Sequence, residues 1–279
     1  TQRTAVFNPG LGCTIIPARL GALQFTPEPV IPDTPDPETT AWPMGDLVGD
    51  DPPPANVDVE RLTAARDRAF DDSLHRPPQH TRAMVVVHQG QLIAERYAPG
   101  FGPYTRNVSW SMGKSITAAL IGILVQDGEL NIDDPAPIET WRRPGDEHGD
   151  VRVRDLLNMS SGLGFTRAQD EEGKLRYGWT HLDDHMYIYF GAIDVFEHSI
   201  TRPQVDPPGT AWRYRNCDPL TLGKIVRQTV EARGERYHSF AQRRLFDRIG
   251  ARHMVLEPDP WGNFIMTGFD YGTARDWAR

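Results

Sequence analysis

The 279 residues are 39% apolar and 24% charged, and they include 7 Trp, 8 Tyr and 11 Phe. That is enough apolar material for a core and excludes a chain disordered throughout. The net charge is −8 with no cluster of Lys and Arg, which argues against nucleic acid as a partner. The most apolar stretch, Ile116 to Val125, falls far short of the roughly 18 residues of a membrane-spanning helix.

Eleven of the 24 prolines fall in the first 54 residues. Proline fixes φ and donates no backbone hydrogen bond, so residues 1–54 are expected to form an extended, irregular arm. Its apolar residues Val6, Phe7, Leu11, Ile15, Ile16, Leu23, Phe25 and Trp42 are expected to strap it onto a core domain spanning 55–279. The chain opens on Thr1 without a basic-then-apolar leader. This leads to the expectation of a processed or trimmed start and, with the arm, leans toward an exported or periplasmic location. Cys13 and Cys217 are too few for a disulfide scaffold or a four-thiolate zinc site. They can pair or remain two free thiols.

Asp58 is placed to cap a helix carrying Val59, Leu62, Ala65, Ala69 and Phe70, closed before Pro77-Pro78. Met84 to His88 and Leu92 to Tyr97 are β-rich runs joined at Gln89-Gly90-Gln91, a hairpin. From Ser111 the pattern is helical, and Ile116 to Val125 is apolar on nearly every side, as in a helix covered all round. A short helix is expected over Val153 to Met159. Asp218-Pro219 reads as the cap of a helix with the stripe Leu220, Leu222, Ile225, Val226 and Val230, stopped near Gly234. Another helix carries Phe240, Leu245, Phe246 and Ile249, and Met254 to Leu256 is a short strand candidate. A lone hairpin under so many helices leaves a sheet edge open. With the last residues reading as a helix barely begun, a missing C-terminal portion is expected.

Ser111-Met112-Gly113-Lys114 is the sharpest chemical feature. Residues i and i+3 share a helix face, so hydroxyl and amine can meet. A serine is a poor nucleophile until a base takes its proton, and a desolvated lysine can serve as that base. The helix N-terminus favours developing negative charge. The chain has eight serines and three lysines, Lys114, Lys174 and Lys224, against 27 arginines. Chance therefore supplies roughly 0.09 Ser-x-x-Lys pairs, and one occurs. Gly113-Lys114-Ser115 is also the tail of a phosphate-binding loop, but Val108 stands where that loop needs glycine. Tyr214-Arg215-Asn216, between a Pro-Pro-Gly turn and a helix, can project a phenol for proton relay and an amide for substrate binding.

Taken in order, several motifs resemble the penicillin-recognising serine hydrolases: class C β-lactamases, DD-peptidases, related esterases and hydrolases of 6-aminohexanoate dimers. They are the hairpin, Ser111-Met112-Gly113-Lys114, Leu130-Asn131-Ile132-Asp133-Asp134-Pro135 and Leu156-Leu157-Asn158-Met159-Ser160-Ser161-Gly162-Leu163. Pro208-Gly209-Thr210 before Tyr214-Arg215-Asn216, and Gly272-Thr273-Ala274-Arg275-Asp276, complete the set. The resemblance spans about Met84 to Arg279. It implies an α+β, β-lactamase/transpeptidase-like fold, with an antiparallel sheet flanked by helices and a mostly helical region. It also implies Ser111 as acylated nucleophile with its backbone N–H in the oxyanion hole, Lys114 as base, Tyr214 as proton relay and Asn216 as substrate ligand.

Arg215 replaces the serine usual at its position and is expected to recognise a carboxylate or narrow the cleft. Trp110 is a further candidate to touch substrate. The third motif, Lys/His-x-Gly, is expected beyond Arg279, in strands missing here or carried by a separate C-terminal fragment.

The expected function is hydrolysis of a small-molecule or peptide-like amide or ester, without metal or cofactor. The alternative is a sensor of the same fold that is acylated without turnover. His181-Leu182-Asp183-Asp184-His185 has a metal-like spacing but lacks a further ligand, and a polar face or acidic lip is expected there. Asp133-Asp134 is read as a turn and not a glycosidase pair. The set Trp110, Tyr177, Trp179, Tyr187 and Tyr189 is expected mainly to pack the core.

Overall fold

The computed structural model describes residues 3–49, 52–165 and 184–279. In its first half these are β1 (Arg3–Asn8), β2 (Gly12–Pro17), α1 (Val59–Arg68), β3 (Ala83–His88), β4 (Gln91–Tyr97), β5 (Asn107–Val108), α2 (Gly113–Gln126) and α3 (Val153–Leu157). There follow α4 (Asp184–Phe190), α5 (Val195–Ile200), α6 (Cys217–Ala232), α7 (Tyr237–Ala241), α8 (Asp247–Ile249), β6 (Val255–Leu256), β7 (Asp270–Gly272) and α9 (Ala274–Ala278). The chain forms two compact units. One draws on the chain up to Ile31, on Ser109–Ala241 and on Val255–Asp270; the other on Pro32–Val108, Gln242–Met254 and Tyr271–Arg279.

The first unit is built around α6, which packs on α2, α3, α5 and α7. The whole expected stripe, Leu220, Leu222, Ile225, Val226 and Val230, is buried, and Gly234 takes a φ of +73° just past the end. Asp218 does not cap this helix. It lies in the first turn, fully buried, where it accepts the Ser161 hydroxyl at 2.6 Å and faces the Arg215 guanidinium at 3.8 Å. The helix begins one residue earlier, at Cys217, and no side chain caps it.

Helix α2 also departs from expectation. Gly113, Ile116, Thr117, Leu120, Ile121 and Leu124 are buried, in the spacing of a one-sided helix. Ser115, Ala118, Gly122 and Val125 are exposed. The outward side chains are small, so they do not interrupt an apolar reading of the sequence.

The start of the arm is not irregular. β1 and β2 pair antiparallel from Arg3↔Pro17 to Asn8↔Gly12, turning at Gly10 with a φ of +77°. The Cys13 N–H donates to Glu257 at 2.7 Å, and the Gln24 N–H to the Pro260 carbonyl at 2.8 Å. Leu11 and Ile16 are buried anchors, whereas Phe7 is 69% exposed. Cys13 and Cys217 are not joined in a disulfide.

In the second unit, β3 and β4 form the expected hairpin, from Ala83↔Tyr97 to His88↔Gln91 with a bulge at Val86/Val87. Helix α1 packs along β4, with Asp58 capping it through the Arg61 N–H, and α9 packs along β3. β5 pairs with β7 through only Asn107↔Gly272 and Val108↔Tyr271.

The Gly272-Thr273-Ala274-Arg275-Asp276 motif has a structural role here. Thr273 and Asp276 form a capping box at the start of α9, and Arg275 grips Glu95 at 2.6 and 2.9 Å. Asp46, only 5% exposed in its side chain, receives Arg279 at 2.5 Å and Arg252 at 3.2 Å. The later part of the arm is thus held by a buried charge as well as by Trp42, over which the Arg279 guanidinium lies at 4.6 Å. The result is an α+β fold of short antiparallel ladders and helices.

Candidate active site

The site lies within the first unit. Ser109 leads into a 3₁₀ turn, Trp110–Met112, which runs directly into α2. Trp110 has a φ of +47°, in the left-handed region that costs a non-glycine residue about 1–3 kcal/mol. Two contacts hold the corner: the Ser109 N–H donates to the Asp270 carbonyl at 2.8 Å, and the Trp110 ring stands edge-on to Tyr189 at 5.4 Å. The corner leaves Ser111 exposed at the helix start.

Lys114 sits one turn along. Its Nζ donates to Ser111 Oγ at 3.0 Å and to the Thr267 carbonyl at 3.4 Å, and lies 4.8 Å from the centre of the Tyr214 ring. Burial pushes the Lys114 pKa below its ordinary value, partly opposed by Tyr214 and the Asp270 charge. Burial raises the Tyr214 phenol, but hydrogen bonding with Ser111 and Lys114 and the lysine charge outweigh it, so the net shift is downward. Both shifts favour the basic forms, an amine and a phenolate, beside a serine hydroxyl.

Ser111, Lys114 and Tyr214 are therefore brought together. Asn216 lies at the start of α6, 6% exposed; its amide donates to the His185 carbonyl at 3.4 Å and its buried Oδ1 has no partner. Trp110 is 44% exposed beside the nucleophile.

Arg215 is the correction. It is fully buried, donates to the carbonyls of Arg213 and Leu163, and pairs with Asp218, so it meets neither a cleft nor a substrate carboxylate. An arginine can be buried where carbonyls and a carboxylate face its fork; here two carbonyls and the Asp218 charge do so, while Nη2 is left without a partner.

Sequence reasoning missed Thr267 and Asp270. Thr267 acts through a backbone carbonyl, which leaves no trace in residue type. Its oxygen takes both Lys114 and, at 2.6 Å, the Tyr189 hydroxyl. Tyr189 is buried in an aromatic cluster with Trp110, Phe190 and Phe269, as a core residue should be.

Asp133 pairs with Arg154 at 2.6 Å next to an Asn131–Asp134 turn, in keeping with a turn reading. Tyr177, Trp179, His181 and Asp183 lie outside the described residues. Among the described residues no group of three or more His, Cys, Asp or Glu side chains could hold a metal ion.

A sequence model of the Beta-lactamase family matches residues 67–276. The chain belongs to the Beta-lactamase family. It is similar to a 6-aminohexanoate-dimer hydrolase of Paenarthrobacter ureafaciens, 25% identical over 236 residues, covering 82% of this chain and 58% of that protein. The chain thus spans less than two thirds of that relative's length.

Among solved structures, the D-amino acid amidase of Ochrobactrum anthropi SV3 shares the fold with a TM-score of 0.54 at 18% identity, over 78% of this chain and 68% of that one. A penicillin binding protein from Bacillus halodurans gives 0.53 at 18% identity, over 70% and 67%. The penicillin-recognising resemblance and the β-lactamase-like fold class both agree with these findings.

Proposed function

We propose that this Beta-lactamase-family chain carries the nucleophile of a serine hydrolase that cleaves an amide or ester through an acyl-enzyme on Ser111. The observation that carries the reading is the 3.0 Å contact between Lys114 Nζ and Ser111 Oγ, made by a lysine whose burial disfavours its charged form. As an ammonium, Lys114 donates along this contact. As a neutral amine it accepts the serine proton along the same line while Oγ bonds to the substrate carbonyl carbon.

The carbonyl π electrons move onto oxygen, where the Ser111 backbone N–H would be one stabilising donor. Tyr214 takes up the proton held by Lys114 and passes it to the departing nitrogen or oxygen as that bond breaks, which returns Lys114 to the neutral amine. Water then repeats the sequence on the acyl-serine and restores the free hydroxyl. Asn216, with an unpartnered buried Oδ1, is suited to accept a substrate N–H.

Trp110 and Met112 flank the nucleophile and are 44% and 48% exposed, which favours a substrate with an apolar segment next to the scissile bond. A 6-aminohexanoate dimer, as named for the Paenarthrobacter relative, fits this description. Arg215, the departure from the family pattern, is buried and leaves the nucleophile unobstructed, which favours turnover over a sensor.

A rapid-mixing assay of the full chain with a p-nitrophenyl acyl ester tests the proposal. A burst of one equivalent followed by steady release is expected. A burst without release would make the protein a sensor, and neither burst nor release would end the hydrolase reading.

A further inference from the structure

Asp270 is fully buried and both its side-chain oxygens are sealed from solvent; among the described residues no ion pair or backbone N–H takes them up, and the Ser109 hydroxyl faces them. Other buried carboxylates are taken up: Asp155 by Arg152, Asp218 by Ser161, Asp259 by the Val195 N–H and Asn263, and Asp276 by Thr273 and Arg279. Leaving a buried polar group unpaired is costly, and an explanation is owed at each such site.

The location is specific. The carboxylate is pressed against Gly113, the first residue of α2, so that a Cβ there would fall 2.7 Å from Asp270 Cγ. The peptide unit of Asp270 also holds Ser109, at the foot of the strained corner. The aspartate therefore touches the chain on both sides of Ser111.

The titratable groups facing it are Lys114 from α2 and Tyr189 from α4. Burial suppresses the acidity of Tyr189, which leaves that phenol neutral. Burial also raises Asp270 to about 7, while the Ser109 hydroxyl and the Lys114 charge favour its ionised form. Lys114 feels the reciprocal pull upward.

We propose that Asp270 is a positioning residue for the Ser111–Lys114 pair: its buried carboxylate, set against the start of α2, stabilises the Lys114 ammonium that forms when Lys114 takes the serine proton. The inference rests on the proposed roles of Ser111 and Lys114. No bond forms or breaks at Asp270. Its field acts on the charge that develops on Lys114, from a carboxylate that is itself shut off from water.

The three lysines of the chain make the test direct. With ¹³Cε-labelled lysine the full chain gives three side-chain signals, and the Lys114 signal is the one absent from Lys114→Met. On titration, the wild-type signal is expected to move twice, once with the ionisation of Asp270 and once with its own deprotonation. In Asp270→Asn the first step disappears and the Lys114 midpoint drops by about one pH unit.

The acylation rate of Asp270→Asn by a serine-directed fluorophosphonate should show its rising limb displaced to lower pH by the same amount. A single-step wild-type titration overturns the proposal even if the variant fails to fold, and so does an unmoved midpoint in a folded variant. The titration needs no substrate, so the two readings fail separately. Two steps without acylation would end the hydrolase reading alone, and acylation with one step would end the role of Asp270 alone.

Discussion

In the proposed mechanism Lys114 meets two opposing demands: it must lose its proton to activate Ser111, then hold one while the acyl group forms. Burial supports the first demand, and Tyr214 and Asp270 support the second. Tyr214 sits between them, pulled toward phenolate by the lysine and the serine. Tyr214→Phe removes the proposed proton relay and keeps the ring over the lysine. Its kcat should fall about 10²- to 10⁴-fold with little change in KM. A large rise in KM with kcat retained would make Tyr214 a substrate ligand instead. Arg215 teaches a different point at this scale. A cation next to two site residues in sequence suggests substrate recognition, but alternate residues of an extended segment point to opposite sides. Tyr214 is 38% exposed, whereas Arg215 is fully buried.

At the scale of elements, α2 carries Lys114 and begins at Gly113, against which the Asp270 carboxylate is pressed. Gly113→Ala drives a methyl group into the Asp270 carboxylate, so it should destabilise the chain by about 1–3 kcal/mol and slow acylation of Ser111. Gly122→Ala, on the exposed side of the same helix with nothing within 4 Å, should stabilise it by about 0.5–1 kcal/mol and leave acylation unchanged. Denaturant midpoints and probe labelling of the two variants check both expectations; equal effects would mean that the Gly113 contact carries no weight.

What was legible in the sequence follows the same physics. The β3–β4 hairpin, α1 and α6 were visible because alternation or a helical stripe repeats over several turns. β5 and β7 are two and three residues long, too short for any period to register. The β1–β2 hairpin was hidden by the prolines around it, although Val6, Thr14, Ile15 and Ile16 are β-branched residues grouped either side of Pro9-Gly10. The Ser111–Lys114 spacing named the core of the site because it is local in the chain. Thr267 and Asp270 reach it from more than 150 residues away, and only the fold brings them there.

For the molecule as a whole, the buried acids set the pH dependence of stability. Asp218, Asp259 and Asp270 are each raised to about 7 by burial. Each therefore contributes stability that is fully present below the ordinary carboxylate value of 3.8 and is lost as pH rises through about 7. His238, lowered by burial, acts in the opposite sense, losing its contribution as pH falls through its depressed value. Three groups outweigh one, and the growing negative charge adds self-repulsion in the same direction. The melting temperature should accordingly be lower at pH 8 than at pH 5.5 in a scanning calorimeter; an equal or higher value at pH 8 would contradict this account.

The central claim is that Ser111 is the residue that takes the acyl group. Intact mass spectrometry of the full chain after exposure to a fluorophosphonate probe, beside Ser111→Ala, measures it most directly. One adduct is expected on the wild type and none on the folded variant. An adduct on both proteins, or on neither, would contradict the claim.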